Sequence, residues 1–265
     1  MEIVNERIDE MSAKLYDEAK RSSKRSTRGF SSLRTDLLEL MEDYSNKNGK
    51  ISKARIRTLL NELDVFMVEI ENEFNELLDV EIERVSSEYA RDIVSAFGPE
   101  AAAEINLNDL TEDIREYIYN REINGATLTD RTAALAGSIR DDMQKVIRNN
   151  ILLGAAATTI ILRVKDSMDK TLWRVDTIFM TEILTTFRTA IAFIGGALGL
   201  VKGIKIVDRR GRHPNHESHQ CYKYAEQDRY GMGKGVFLPR DTYILNPHPQ
   251  CTAYFHYVLH EKGAE

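Results

Sequence analysis

The chain has 265 residues, a charged fraction of 29% and a formal net charge of −6, from 36 basic and 42 acidic side chains. That balance excludes a protein that coats nucleic acid over its whole surface, and two cysteines exclude a disulfide-built scaffold and point to a reducing compartment at synthesis. The length suffices for two domains, or for one with a helical extension.

Met1 to Glu10 is charged and lacks the apolar stretch of a secretion signal. Ile8, Met11 and Leu15 recur at three- and four-residue spacing and predict a helix from Ile3 to about Ala19. The basic stretch from Lys20 to Arg28 follows, with Gly29 as its expected break. It has two readings. Lys20, Arg21, Lys24, Arg25 and Arg28 can neutralise a nucleic-acid backbone beside Ser and Thr donors. Alternatively the stretch is a solvated helix end or linker, which the lack of interleaved aromatic residues favours.

A second helix is expected from Ser32 to Asp43, ended by the turn Asn46 to Gly49. Ser52 then caps a long helix reaching about Ser95, with Leu59, Leu63, Met67, Ile70, Phe74 and Leu78 on its apolar stripe. Glu62, Asp64, Glu69, Glu71, Glu73 and Glu76 give it an acidic outer face, suited to solvent or a basic partner. A bend at Asn72 to Asn75 would fold it into a hairpin.

Breaks at Phe97-Gly98-Pro99 and Asn124-Gly125 precede a proline-free stretch, Leu128 to Phe193, whose apolar periodicity is helical throughout. Two apolar runs, Ile151 to Leu162 and Thr189 to Val201, hold 12 and 13 uncharged residues. A membrane span needs about 20, so both read as buried helices and no stable membrane insertion is expected. Beyond Gly203 the pattern turns β-branched at Ile204 to Asp208 and again at Tyr254 to Leu259, which predicts two strands with a looping segment between them. The fold class is therefore α+β: long N-terminal helices and a helical middle, then a small β-containing, loop-rich C-terminal module. The division is expected at 125/126, into an extended helical region (1–125) and an α+β domain (126–265).

All six histidines and both cysteines lie between His213 and His260. Zinc takes four nitrogen or sulfur ligands, and His216, His219, Cys221, His248 and Cys251 offer such a set, with His216-x4-Cys221 and His248-x2-Cys251 at workable spacing. A loop-rich segment with little to bury gains most from a metal clip. The other reading has the cysteines as small buried hydrophobes and the histidines as polar loop residues. A Cys221–His248 nucleophile pair lacks a third, orienting group. Asp208, Arg209, Arg210, Gly211 and Arg212 form a basic turn after a strand, suited either to DNA or an acidic partner, or to a tight loop bonded by Asp208.

Several short motifs occur in a telling order. Leu128-Thr129-Asp130-Arg131 opens a helix, and a glycine-containing apolar stretch, Ile151 to Ala157, comes next. The run Trp173 to Glu182 then carries Arg174, Ile178 and a Thr181-Glu182 dipeptide, followed by a strand, Asp208-Arg209, a Cys/His loop and a closing His248-Pro249-Gln250-Cys251. This order resembles the phage minor head proteins of the Mu F-like head morphogenesis family over about residues 126–258. The chain departs from that pattern in offering only Cys221 where many members show C-x-x-C, and in reducing the closing C-R-C to Cys251-Thr252-Ala253.

The resemblance implies a minor capsid protein of a tailed bacteriophage, acting in head assembly or in genome packaging and ejection. Its partners would be the portal protein, the major capsid protein or both, with local contact to phage DNA. Its location would be the capsid interior near the portal, and the host cytoplasm during assembly. Such a protein works by binding and is not an enzyme. Thr181, Glu182 and Asp208 then carry structural roles, with Arg131, Arg174 or Arg209 as partner to a buried Glu182, and any zinc is structural. The rival class is a metal-dependent nuclease or hydrolase built on the C-terminal His/Cys cluster.

Overall fold

The apolar stripes of the first hundred residues become two long runs of helix. The computed structural model describes residues 2–209 and 215–260; the side chains of 29–34, 37 and 38 lie outside the described residues. The first helix, α1, is continuous over Glu2–Asp43, so neither the expected break at Gly29 nor a separate helix from Ser32 is observed. One glycine in a helix costs only about 1 kcal/mol. The basic stretch itself has an inner face. Ser22, Ser23 and Ser26 are buried, and Ser23 donates to the Asp176 carboxylate at 2.5 Å.

Helix α2 (Ile56–Arg84) follows a 3-10 turn capped by Ser52 and shows no bend at 72–75. It passes through a π-helical turn, Val85–Tyr89, into α3 (Ala90–Phe97). Gly98, at φ +102°, and Pro99 at the first position of α4 (Pro99–Glu104) make the expected break. Then come α5 (Leu107–Asn120), α6 (Leu128–Leu152), α7 (Ala157–Asp169) and α8 (Leu172–Ala197). Thr127 and Asp130 close a capping box at the start of α6. The Ile151 to Ala157 stretch is not helix interior: it holds the α6–α7 turn, with Gly154 at φ +72°.

Contacts divide the described chain into two interleaved units rather than at 125/126. A sheet-bearing unit comprises Met1–Arg21, Asp79–Arg121 and Ile178–Glu265; a helical unit comprises Ser22–Leu78 and Glu122–Thr177. The reason is covalent: α1, α2 and α8 each begin in one unit and end in the other.

In the helical unit, Leu59, Leu63, Met67, Ile70 and Phe74 of α2 are buried, as are Met143 and Ile147 of α6 and Ile160 and Val164 of α7. The loop before α2 is fastened by bridges Ser45↔Ile51 and Lys50↔Ala156.

In the sheet-bearing unit, β1 (Val201–Val207) lies between β2 (Val236–Phe237) and β3 (Tyr254–Leu259), both antiparallel to it. The two expected strands are present; β2, two residues long, lies in the segment that reads as loop. A Cβ on Gly203 would meet the Phe237 carbonyl oxygen at 2.9 Å, so glycine permits the close approach of β2 at the irregularity in β1. Edge strand β3 is covered by α1. The Asn5 amide accepts from the Tyr257 N–H (2.9 Å) and donates to its carbonyl (3.2 Å), imitating one more strand residue.

By length and composition one helical stretch, Ala157–Ala197, is apolar enough to cross a membrane, which goes beyond the two short runs read from sequence. Of its most apolar window 89% is buried, as in a core helix.

Candidate metal centre

Between Ile183 and Ala197 the buried part of α8 contains a single charge, Arg188, and that side chain organises the loop carrying the last cysteine. Arg188 is 1% exposed. It donates from Nε to the Leu245 carbonyl (2.5 Å), from Nη1 to the carbonyls of Cys251 (2.7 Å) and Ala253 (3.0 Å), and from Nη2 to Thr185 Oγ1 (3.0 Å). A loop without strand partners must find donors for its carbonyls, and one guanidinium supplies them to three. Burial lowers the Arg188 pKa, with Cys251 acting in the opposite direction.

Two turns earlier, Thr181 Oγ1 accepts from the Gln250 N–H at 2.9 Å, where Gln250 takes the left-handed conformation (φ +53°). The Thr-Glu dipeptide therefore divides its work. Thr181 holds the His-Pro-Gln-Cys turn, while fully buried Glu182 pairs with Arg121 at the end of α5. Two of the partners expected for Glu182 are engaged elsewhere: Arg174 donates to Ser138, and Arg209 to Ser12 while its guanidinium lies 4.8 Å from the Tyr254 ring centroid. Arg131 donates from Nε to the Thr127 carbonyl at its own helix start. Glu182 thus ties helix to helix, and the tie from helix to loop falls to Thr181 and Arg188.

Against this clamped turn stands a short helix, α9 (Gln220–Ala225), with His219 as the residue preceding its first turn and Cys221 inside it. Gly235, at φ +75°, lets the chain return within 2.9 Å of the Ala225 carbonyl measured from an added Cβ, a place no side chain fits. The ligand atoms of His219, Cys221 and His248 all lie within 4.8 Å of one another, with Cys221 Sγ 3.1 Å from His248 Nε2. The His219 and His248 rings meet edge to face at 4.7 Å. A zinc ion with bonds of 2.0–2.3 Å sets its ligands about 3.3–3.8 Å apart in a tetrahedron, so this His-Cys-His group is compatible with a metal.

The two remaining residues of the expected set stand differently. Cys251 is a fully buried free cysteine whose thiol interacts with Cys221 and His248, although it too falls outside the group that shares ligand distance. His216 sits in the preceding 3-10 turn with its ring against Tyr222 at 5.2 Å, outside the group that shares ligand distance. The close pair is His219-x-Cys221, in which His219 is the extended cap residue of α9 and Cys221 lies inside the helix.

Electrostatics divide the two thiols. The Cys221 thiol, with His248 and the Arg188 cation, holds Cys251 well below the usual thiol range against the opposing effect of burial. Cys221 is pushed far up by the same Cys251 contact, by burial and by the Asp208 carboxylate. Burial opposes a charge on His248, but its contact with Cys251 prevails and raises the imidazole. Within the cysteine pair, the surroundings favour a thiolate at Cys251 over one at Cys221.

Asp208, half-buried just past β1, therefore acts on the site through its charge. Arg210 and Arg212 lie outside the described residues. Lys20, Arg21, Lys24, Arg25 and Arg28 are exposed on α1, at spacings that make one helical stripe, so the basic stretch is an ordered helix face rather than a linker. Arg188 and Arg121 escaped the sequence reading. The signal for Arg188 was legible as the one charge in a fifteen-residue apolar run; Arg121 carried none.

No family model, curated protein or solved structure matches the chain.

Proposed function

We propose that the chain is a minor capsid protein of a tailed bacteriophage, bound to the portal, the inner capsid or both, and acting in head assembly or in genome packaging and ejection. One observation carries this reading. Motif residues far apart in sequence meet in one module: Thr181 holds the His-Pro-Gln-Cys turn, and His248 of that turn stands 3.1 Å from Cys221 of the loop after the strand. That is the arrangement expected if the Thr-Glu helix, the strand-Asp and the closing Cys form a single docking unit, as the resemblance implies.

In this reading zinc has a structural role. His219, Cys221 and His248 would hold it, with Cys251 as the fourth donor, and the metal would join the α9 loop to the closing turn. The mechanism is binding, with local DNA contact assigned to the exposed basic stripe of α1.

Co-expression with the portal and major capsid proteins of the phage that encodes it tests the assignment: stable co-purification with at least one is expected, and failure with both overturns it. On the same sample, metal analysis should find one zinc per chain, lost in Cys221→Ser and His248→Ala. Metal-dependent cleavage of DNA abolished by His219→Ala would instead establish the nuclease reading.

A further inference from the structure

The helical unit has a surface the head-protein reading does not use. Large apolar side chains stand exposed there, among them Leu152 (51%), Leu153 (80%) and Trp173 (61%). Between the first turns of α2 and the last turns of α6 runs a groove of about 570 Å³. Ile56, Leu60 and Leu152 supply its apolar surface, and Lys53, Arg57 and Arg148 its cations.

We infer that this groove docks an acidic amphipathic helix of another protein, and the inference stands whether or not the chain is a head protein. The charge pattern selects the occupant. In a chain of net charge −6 the groove is lined by three cations and a single acid, Asp64. The Asp64 carboxylate already accepts from Gln144 at 2.6 Å and stands 4.0 Å from Arg140. Among the described residues no ion pair engages Lys53, Arg57 or Arg148. Cations around an apolar floor complement carboxylates flanking apolar anchors, and like-charged partners are rejected.

The walls select a helix. Both are helices whose backbone bonds are internal, so the groove offers no strand edge, and an occupant must bring a backbone already satisfied. The groove is also held in shape before binding, which lowers the cost of docking. Ser52 caps the turn bearing Lys53, and the Lys50↔Ala156 bridge with the Ala157 N–H to Gly49 carbonyl bond (2.8 Å) ties the loop before α2 to the start of α7, just past the end of α6.

Fluorescence polarisation tests this with the full chain and a fluorescein-labelled synthetic helix bearing leucines at i, i+3, i+4 and i+7 between glutamates. Saturable binding is expected, weakened at least about tenfold by Arg57→Glu with Arg148→Glu and about fivefold by Leu152→Ser. The same peptide with lysines for glutamates should not bind. All three positions are at the surface, and Lys53→Glu gives a second charge reversal should either variant unfold by circular dichroism. Absence of saturable binding, equal binding of a leucine-free glutamate peptide, or indifference to the substitutions overturns the proposal. So does a concentration-dependent dimer in sedimentation that Arg57→Glu/Arg148→Glu abolishes, which would give the groove to a second copy.

Discussion

The two units of this chain solve the problem of polar groups in opposite ways. In the sheet-bearing unit the interior holds charge: Glu81, Glu182 and Arg188 are all buried, and each is bound to a partner or to backbone. In the helical unit no charged side chain is buried among the described residues, while Val65, Val68, Leu152, Leu153, Leu162 and Trp173 stand exposed. Helices satisfy their own backbone, so a purely helical unit needs only an apolar stripe. Loops do not, so the loop-rich part of the sheet-bearing unit must draw donors from side chains such as Arg188. The consequence is a division of labour: long-range polar clamps hold one unit, and the other is free to present apolar surface to a partner.

Removing a clamp is the strongest way to break this contrast. Arg188→Met leaves three buried carbonyls without donors and should cost about 4 kcal/mol, read by urea unfolding, with amide exchange accelerating first in residues 245–253. A cost under about 1 kcal/mol would mean that the loop holds itself. Arg121→Met should cost about 3 kcal/mol because it removes a guanidinium partner of the buried Glu182 carboxylate. The double change Arg121→Met/Glu182→Leu should restore most of that, and a double-mutant cycle measures the coupling.

Loss of the Thr127 cap in Thr127→Ala should cost about 1 kcal/mol. Because that cap belongs to the helical unit, metal content should be unchanged, which sharpens the separation of the units.

The smallest effect concerns pH. Burial opposes a charge on Glu18, but the Tyr89 hydroxyl, Arg84 and Lys14 together hold it below its ordinary value of 4.5. Its contribution to stability is therefore full above pH 4.5 and is lost as pH falls through the lower folded value. An acid titration of stability should show this fall in the wild type and a shallower one in Glu18→Gln; identical curves would remove Glu18 from the account.

Much of the fold was legible in the chain. The stripe from Leu59 to Leu78 specified α2, Leu128-Thr129-Asp130-Arg131 marked the start of α6, and the β-branched runs near Ile204 and Tyr254 marked β1 and β3. What escaped had no local signal. Strand β2 is two residues long, and Gly29 reads as a break although one glycine costs a long helix only about 1 kcal/mol. The candidate site was half legible. Composition placed it between His213 and His260, and His248-x2-Cys251 marked its closing turn, but spacing favoured His216 where the structure brings in His219.

Periodicity and composition are local properties, so the sequence by itself determined the helices, the class and the neighbourhood of the site. Which residues meet was decided only in three dimensions. Arg188 reaches carbonyls 57 to 65 positions away, Thr181 reaches Gln250, and Arg121 reaches Glu182. Those pairings depend on burial, which makes each unpaired polar group costly and so selects the one arrangement that satisfies them.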